Sequence, residues 1–314
     1  MSNTMDRENR LETAIHIFDI ERYATKDGPG IRTVIFFKGC NLRCAWCQNP
    51  ESQLMKKQVM YYRKKCSSCG RCISACPCNA VIHDPERGFL TLHDRCTACG
   101  ACVDACFYDA RKIAGVSYTV DSLMREIMKD KSYYKESDGG VTFSGGEPLL
   151  QPAGLEELSK KCSRAGIHTA LETAGHAKWE VFKRIIPFLN MIFFDIKHID
   201  PDEHARYTGV SNERILDNLV TLSSNFENII VRIPVIPGVN DNMEIQKRIF
   251  SFLRNKTGVH EVELLPFHRL GAGKYSGLGM DYQLSEEKNM PKEACVPFAE
   301  EGIAMGLAVH IGAV

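Results

Sequence analysis

The chain has 314 residues, 44% of them apolar, and 39 basic side chains balance 39 acidic ones for a formal net charge of zero. That balance excludes a nucleic-acid binder driven by phosphate neutralisation. The longest apolar stretch, 185–194, is broken by Pro187 and Asn190 and falls short of the roughly 20 residues a spanning helix needs, so no membrane segment is expected. The first residues are polar and charged, without a signal-peptide pattern, and a cytoplasmic protein is expected. Fourteen cysteines in a reducing compartment point to metal rather than disulfides. The length allows one large α/β domain of about 200–250 residues and a smaller companion.

In chain order, a strand expected at 31–37 leads into three cysteines within eight residues, Cys40, Cys44 and Cys47. A cubane iron–sulfur cluster needs four thiolates to be closed. Three from one loop leave an iron open, and metal sites with a vacancy do chemistry. The basic stretch 56–65 then opens a segment with two cysteine runs of equal spacing. Cys66, Cys69, Cys72 and Cys76 form the first, and Cys96, Cys99, Cys102 and Cys106 the second. This is the two-cluster ferredoxin pattern, in which the fourth cysteine of each run ligates the other cluster. The sets are Cys66, Cys69 and Cys72 with Cys106, and Cys96, Cys99 and Cys102 with Cys76. Cys78 competes with Cys76. Cys162 and Cys295 stand alone and read as small buried hydrophobes. The segment 61–114 is expected as an insert inside a larger domain, 1–60 and 115–314.

Beyond the insert, strands expected at 141–143, 168–171, 191–195, 229–234, 262–265 and 307–311 alternate with helices at 120–129, 155–164, 179–188, 211–223, 243–254 and 292–306. Strict alternation implies a parallel sheet, and about six repeats make an incomplete α/β barrel. Barrel enzymes place their chemistry at the carboxyl ends of the strands. The polar residues fall there one strand after another: the cysteine loop, then Ser144-Gly145-Gly146-Glu147, Glu172-Thr173, Asp195-Ile196-Lys197, Arg232, and Pro266-Phe267-His268. Gly145 and Gly146 carry no Cβ and let backbone approach a ligand. Asp195 and Lys197 point to the same face. Arg232 interrupts an apolar strand and calls for an anionic partner, either a bound carboxylate or an internal ion pair.

The C-x-x-x-C-x-x-C loop resembles the signature of the radical S-adenosylmethionine enzymes. Its flanks are Asp27-Gly28-Pro29-Gly30-Ile31-Arg32-Thr33 and Trp46-Cys47-Gln48-Asn49-Pro50-Glu51. With them the chain resembles the activating enzymes of glycyl radical enzymes, down to about Tyr282. The resemblance implies an α/β fold, a partial (β/α)6 TIM-type barrel with an inserted ferredoxin-like double-cluster domain. It implies reductive cleavage of S-adenosylmethionine to methionine and a 5′-deoxyadenosyl radical, which abstracts a glycine Cα hydrogen on a partner enzyme. Three [4Fe-4S] clusters and S-adenosylmethionine are the implied cofactors. Trp46, Cys47, Gln48, Gly145, Gly146, Glu147, Asp195, Ile196, Lys197, Arg232 and His268 are the implied contacts to S-adenosylmethionine. Glu172, Thr173 and Asp195 correspond to a monovalent-cation region, and Asp27 to a contact with the protein substrate. A flavodoxin or ferredoxin is the implied electron donor to a monomeric enzyme. Two other readings are the same radical chemistry on a small molecule and a multi-cluster electron-transfer protein. The 27–32 flank argues against the first, and the open three-cysteine loop against the second.

Overall fold

The computed structural model describes residues 13–312. The polar segment 1–12, on which the expectation of no signal peptide rests, lies outside them. In chain order the strands are β1 (Ala14–Ala24), β2 (Arg32–Phe37), β3 (Gln58–Tyr61), β4 (Val81–Asp84), β5 (Gly88–Thr91), β6 (Arg111–Ala114), β7 (Val116–Thr119), β8 (Gly140–Gly145), β9 (His168–Thr173), β10 (Met191–Asp195), β11 (Ile229–Val235), β12 (Glu261–Pro266) and β13 (Ala308–Ile311). Nine of them form one sheet in the order β13-β12-β11-β10-β9-β8-β2-β1-β7. From β2 through β13 every neighbouring pair is parallel. All seven expected strands of this series are present. The six-strand expectation is corrected to seven parallel strands, extended at one edge by β1 and β7, which pair antiparallel.

Alternation along the strands gives the sheet two unlike faces. Ile35, Phe143, Leu171, Phe194, Val231 and Leu264 point into the principal core beneath the helices. The register turns Arg32, Ser144, Glu172, Asp195, Arg232 and Glu263 to the opposite face. Charge on that face is what positions the site.

The expected helices form, with ends shifted by a few residues. A helix at Pro201–Thr208 is additional. Asp200 caps its first amides, Pro201 sits at its first position, and Gly209 ends it with φ 84°. A further helix, Ala272–Leu278, packs against β3. Residues 58–114 stand apart from the main sheet. β3 pairs with β6 at their root, and β4 with β5 as a hairpin, around a separate core that includes Val59, Tyr61, Val81 and Phe89. The duplication is legible in the backbone as well as the cysteines. Ser68 and Ala98, Gly70 and Gly100, and Asn79 and Asp109 all take positive φ, each pair thirty residues apart. Among the described residues no helix is long and apolar enough to cross a membrane.

Candidate active site

A cavity of about 250 Å³ opens at the carboxyl ends of the parallel strands. Cys40, Cys44 and Cys47 form one wall, and Gly145, Gly146, Glu172, Thr173, Asp195 and Lys197 another, with Trp46 and Gln48 also lining it. These residues come from four segments of the sequence, and Pro234 and Leu265 add two more.

The cysteine loop is held from several sides. Arg43 and Ala45 donate their amides to the Thr208 and Tyr207 carbonyls at 2.7 and 2.9 Å, which is the task of the unexpected helix. The Gln48 amide group donates to the Trp46 and His268 carbonyls at 3.1 and 2.9 Å, and its oxygen accepts from Gly271 N at 2.8 Å. Trp46 is buried with Phe267, Tyr275 and Tyr282, and the partly buried Tyr207 packs against this cluster. The Gly145-Gly146 pair is explained first by the chain itself. A Cβ on Gly146 would lie 2.3 Å from the Gly39 carbonyl oxygen, and one on Gly145 would lie 2.4 Å from Phe37 N. Gly146 N and Glu147 N donate to the Phe37 and Gly39 carbonyls, both at 2.8 Å, strapping the second motif to the entry of the cysteine loop.

Three residues expected as ligand contacts do not line this cavity. Glu147 is fully buried behind the cavity wall, where it accepts hydrogen bonds from Thr173 Oγ1, Leu149 N and Ala174 N. Ile196 turns its side chain into the principal core and donates its amide to the Arg232 carbonyl. His268 lies outside the cavity wall and offers its carbonyl to Gln48. Arg232 finds its anionic partners within the chain. Its Nη1 bonds Glu172 at 2.8 Å, Nε bonds Glu263 at 2.7 Å, and its guanidinium lies 3.8 Å from the Phe193 ring centre. Of the two kinds of partner expected for Arg232, the structure describes the internal ion pair.

The expected cation group is likewise satisfied from inside. Glu172 is shared between Arg232 and the Ser144 hydroxyl, the Thr173 hydroxyl donates to Glu147, and Asp195 pairs with Lys197 at 2.8 Å. Burial works against the Lys197 ammonium, but Asp195 and the neighbouring Cys44 hold it well above its ordinary range. Burial pushes the Cys40 thiol up to about 11, Cys44 up to about 12, and Cys47 upward as well. Three enclosed thiols with raised pKa values need added positive charge to ionise, which the ferric and ferrous ions of a cluster supply. The donor set therefore fits an iron–sulfur cluster with one position left open. Asp27 sits nearby. Burial, with Glu172 beside it, pushes its carboxyl up to about 6 against the pull of Arg232.

Nine of the eleven remaining cysteines stand around two smaller cavities. Cys66, Cys69, Cys72 and Cys106 line one, and Cys76, Cys78, Cys96, Cys99 and Cys102 the other. All fourteen cysteines are free thiols, and Cys162 and Cys295 are buried. Among the described residues no three His, Cys, Asp or Glu side chains gather around a single ion position. The sulfurs of Cys40, Cys66 and Cys96 each accept an amide N–H from two residues on, at 3.4 Å, and Cys76 accepts one from Ala80 at 3.2 Å. Cys78 faces the Thr97 hydroxyl at 3.7 Å.

Comparison with known proteins agrees with this geometry. A family model described as the radical SAM superfamily matches residues 34–248. The chain is 46% identical over 279 residues to the (2S)-3-sulfopropanediol dehydratase activating enzyme of Klebsiella oxytoca, covering 87% of this chain and 88% of that one. It is 39% identical over 297 residues to the choline trimethylamine-lyase activating enzyme of Oleidesulfovibrio alaskensis, covering 91% of this chain and 96% of that one. The crystal structure of a radical SAM methyltransferase from Sphaerobacter thermophilus shares the fold, with a TM-score of 0.53 at 12% identity over 96% of this chain and 77% of that one. With three thiols enclosed at the strand ends and relatives of this identity along nearly its whole length, the chain belongs to the radical SAM superfamily and, within it, to the activating enzymes of glycyl radical enzymes.

Proposed function

We propose that this enzyme holds three [4Fe-4S] clusters, one reactive and two relaying, and that it activates a partner glycyl radical enzyme in the cytoplasm as a monomer. The observation that carries this is the shared cavity of Cys40, Cys44 and Cys47 with Gly145, Gly146, Asp195 and Lys197. Cys40, Cys44 and Cys47 would hold the reactive cluster. Cys66, Cys69, Cys72 and Cys106 would hold the outer relay, and Cys96, Cys99, Cys102 and Cys76 the inner one. Cys76 is supported over Cys78 because its sulfur, like those of Cys40, Cys66 and Cys96, accepts a backbone N–H, here from Ala80 four residues on, whereas Cys78 faces the Thr97 hydroxyl. The period of thirty in the backbone supports a ferredoxin-like insert. When bound, the reactive cluster supplies the electron that splits S-adenosylmethionine into methionine and a 5′-deoxyadenosyl radical, which takes a glycine Cα hydrogen from the partner.

The chain's own groups position and enclose. Gly145 and Gly146 place backbone along the cavity, and Trp46 and Gln48 fix the loop from behind. Lys197 offsets the negative charge of the thiolates and is itself held by Asp195. The Arg232–Glu172–Ser144 network makes a rigid polar floor. A monovalent cation at Glu172, Thr173 and Asp195 would have to compete with Arg232 and Lys197 for the two carboxylates. Asp27, on the loop beside this floor, would meet the backbone of the protein substrate. A flavodoxin or ferredoxin would donate the electrons.

The deciding experiment combines the reduced enzyme, S-adenosylmethionine and a panel of glycyl radical dehydratases and lyases deuterated at glycine. Activation predicts a glycyl radical signal by electron paramagnetic resonance in one partner and deuterium in 5′-deoxyadenosine. Deuterium arriving from a labelled small molecule, and from no partner protein, would establish the small-molecule reading instead.

A further inference from the structure

The insert has two ends, and they differ in charge and in distance from the active site. β3 serves as a ruler. Its Gln58 end is tied to the cysteine loop, since Gln58 Oε1 accepts from Lys38 Nζ at 3.4 Å and Lys38 lies two residues before Cys40. Val59, next along, lines the cavity of Cys76, Cys96, Cys99 and Cys102. Tyr61, two residues farther out, lines the cavity of Cys66, Cys69, Cys72 and Cys106. A second tie agrees with this order. His93, three residues before Cys96, bonds the Leu278 carbonyl at 3.0 Å, and that helix packs on the 50–52 turn just beyond Cys47. The Cys96 side faces the main domain, and the Cys66 side faces away from it.

The outer end is basic and apolar. Segments 63–71 and 106–109 hold four cations and one carboxylate, Asp109, whereas segments 76–79 and 94–100 at the inner end hold one of each, Asp94 and Arg95. Arg63, Lys64 and Lys65 form an exposed turn. Phe107 is 76% exposed and Tyr108 55% exposed, and the Arg71 guanidinium lies 4.5 Å from the Phe107 ring centre. Exposed aromatics framed by arginine and lysine on a chain of zero net charge have the composition of a protein interface.

We propose that Arg63, Lys64, Lys65, Arg71, Phe107 and Tyr108 form the docking surface for an acidic one-electron carrier protein. Electrons would then enter beside Cys66, Cys69, Cys72 and Cys106. The carrier's redox centre is oxidised by one electron and the outer site is reduced by one, with no bond or proton transferred. This inference rests on the relay reading above.

The test uses the full-length enzyme with all its clusters reconstituted anaerobically, and oxidised flavodoxin as the acidic probe, with binding measured by calorimetry. Lys64→Glu combined with Lys65→Glu should weaken binding about tenfold at low salt, and the gap should close by about 0.5 M salt. Phe107→Ala should weaken binding about threefold at either salt concentration. Arg95→Glu, at the inner end, should change it less than about twofold. An unchanged affinity in the lysine pair, or an equal loss in Arg95→Glu, overturns the proposal. The relay reading fails separately. If Cys69→Ala leaves flavodoxin-driven 5′-deoxyadenosine formation untouched while the lysine pair loses affinity, the docking surface stands and the relay falls. If Cys69→Ala slows that reaction while the lysine pair binds normally, the docking surface falls and the relay stands.

Discussion

Glu147 is a carboxylate with no exposed surface, and its donors come from two places, Leu149 N in its own turn and Thr173 Oγ1 and Ala174 N at the end of β9. Burial outweighs those bonds and pushes its carboxyl up to about 7, from an ordinary value of 4.5. The folded protein therefore binds a proton that the unfolded chain has released. Its contribution to stability is fully present below pH 4.5 and is lost as pH rises through about 7. Glu147→Gln removes that slope. The unfolding free energy of wild type relative to Glu147→Gln should fall by about 2 kcal/mol between pH 5 and pH 8, read from urea midpoints. A constant difference across that range would mean that Glu147 is ionised in the folded state. In sequence this residue reads as a ligand because it closes a glycine motif after a strand. Its partners at Thr173 and Ala174 lie 26 and 27 residues away, so its structural task leaves no local trace. Arg232 is the converse. Its need for an anion was legible in an apolar strand, but the identity of the anions depended on strand order, which brings Glu172 and Glu263 to its two sides.

The cysteine loop and the insert are separate elements with separate supports. The loop hangs from the Gly146-Glu147 strap, the carbonyl end of the helix Pro201–Thr208 and the Gln48 clamp. The insert rests on the β3–β6 ladder and its own core. Loss of ligands in one should therefore leave metal in the other. With three clusters, as proposed, Cys44→Ala should lower iron from about twelve to about eight per chain and abolish cleavage of S-adenosylmethionine. Cys69→Ala should also lose iron, yet retain binding of S-adenosylmethionine, and should be slowed chiefly with a protein electron donor. Iron analysis with calorimetric binding checks both. Complete loss of cofactor binding in the two variants alike would show that the elements fold as one. Elements with a strong period were legible from sequence, as β8 to β13 show. β1 was not, although Ile15 and Ile17 are buried. Its ladder to β2 shifts register between Ile17 and Asp19 and again between Glu21 and Ala24, and the charged Asp19, Glu21 and Arg22 blur the alternation. The helix Pro201–Thr208 had a legible start in Asp200-Pro201 and a legible stop in Gly209, but only about two turns of sequence between them.

At the scale of the whole molecule, the proposed activation requires part of another protein to reach the cavity on the polar face of the sheet. The loop at 25–31 lies beside that face and is pinned to it through its backbone. Arg232 Nη2 holds the Lys26 carbonyl at 3.0 Å, Thr142 Oγ1 holds the Asp27 carbonyl at 2.7 Å, and Arg32 Nη1 holds the Pro29 carbonyl at 3.1 Å. All three donors stand on the polar face, so the loop's position reports directly on the sheet that carries the active site. Asp27 titrates at about 6, because burial and Glu172 raise it. If its carboxylate receives the partner's amides, as proposed, only the ionised form works, and that form dominates above pH 6. The ratio of glycyl radical formed to 5′-deoxyadenosine released should rise about tenfold between pH 5 and pH 7 in wild type. In Asp27→Asn it should be lower at pH 7 and flat across the same range, while uncoupled cleavage of S-adenosylmethionine is affected far less. Spin counting against chromatographic quantitation of 5′-deoxyadenosine measures that ratio. An identical pH slope in Asp27→Asn would move the titrating group away from this loop, to the partner protein or to the floor of the cavity.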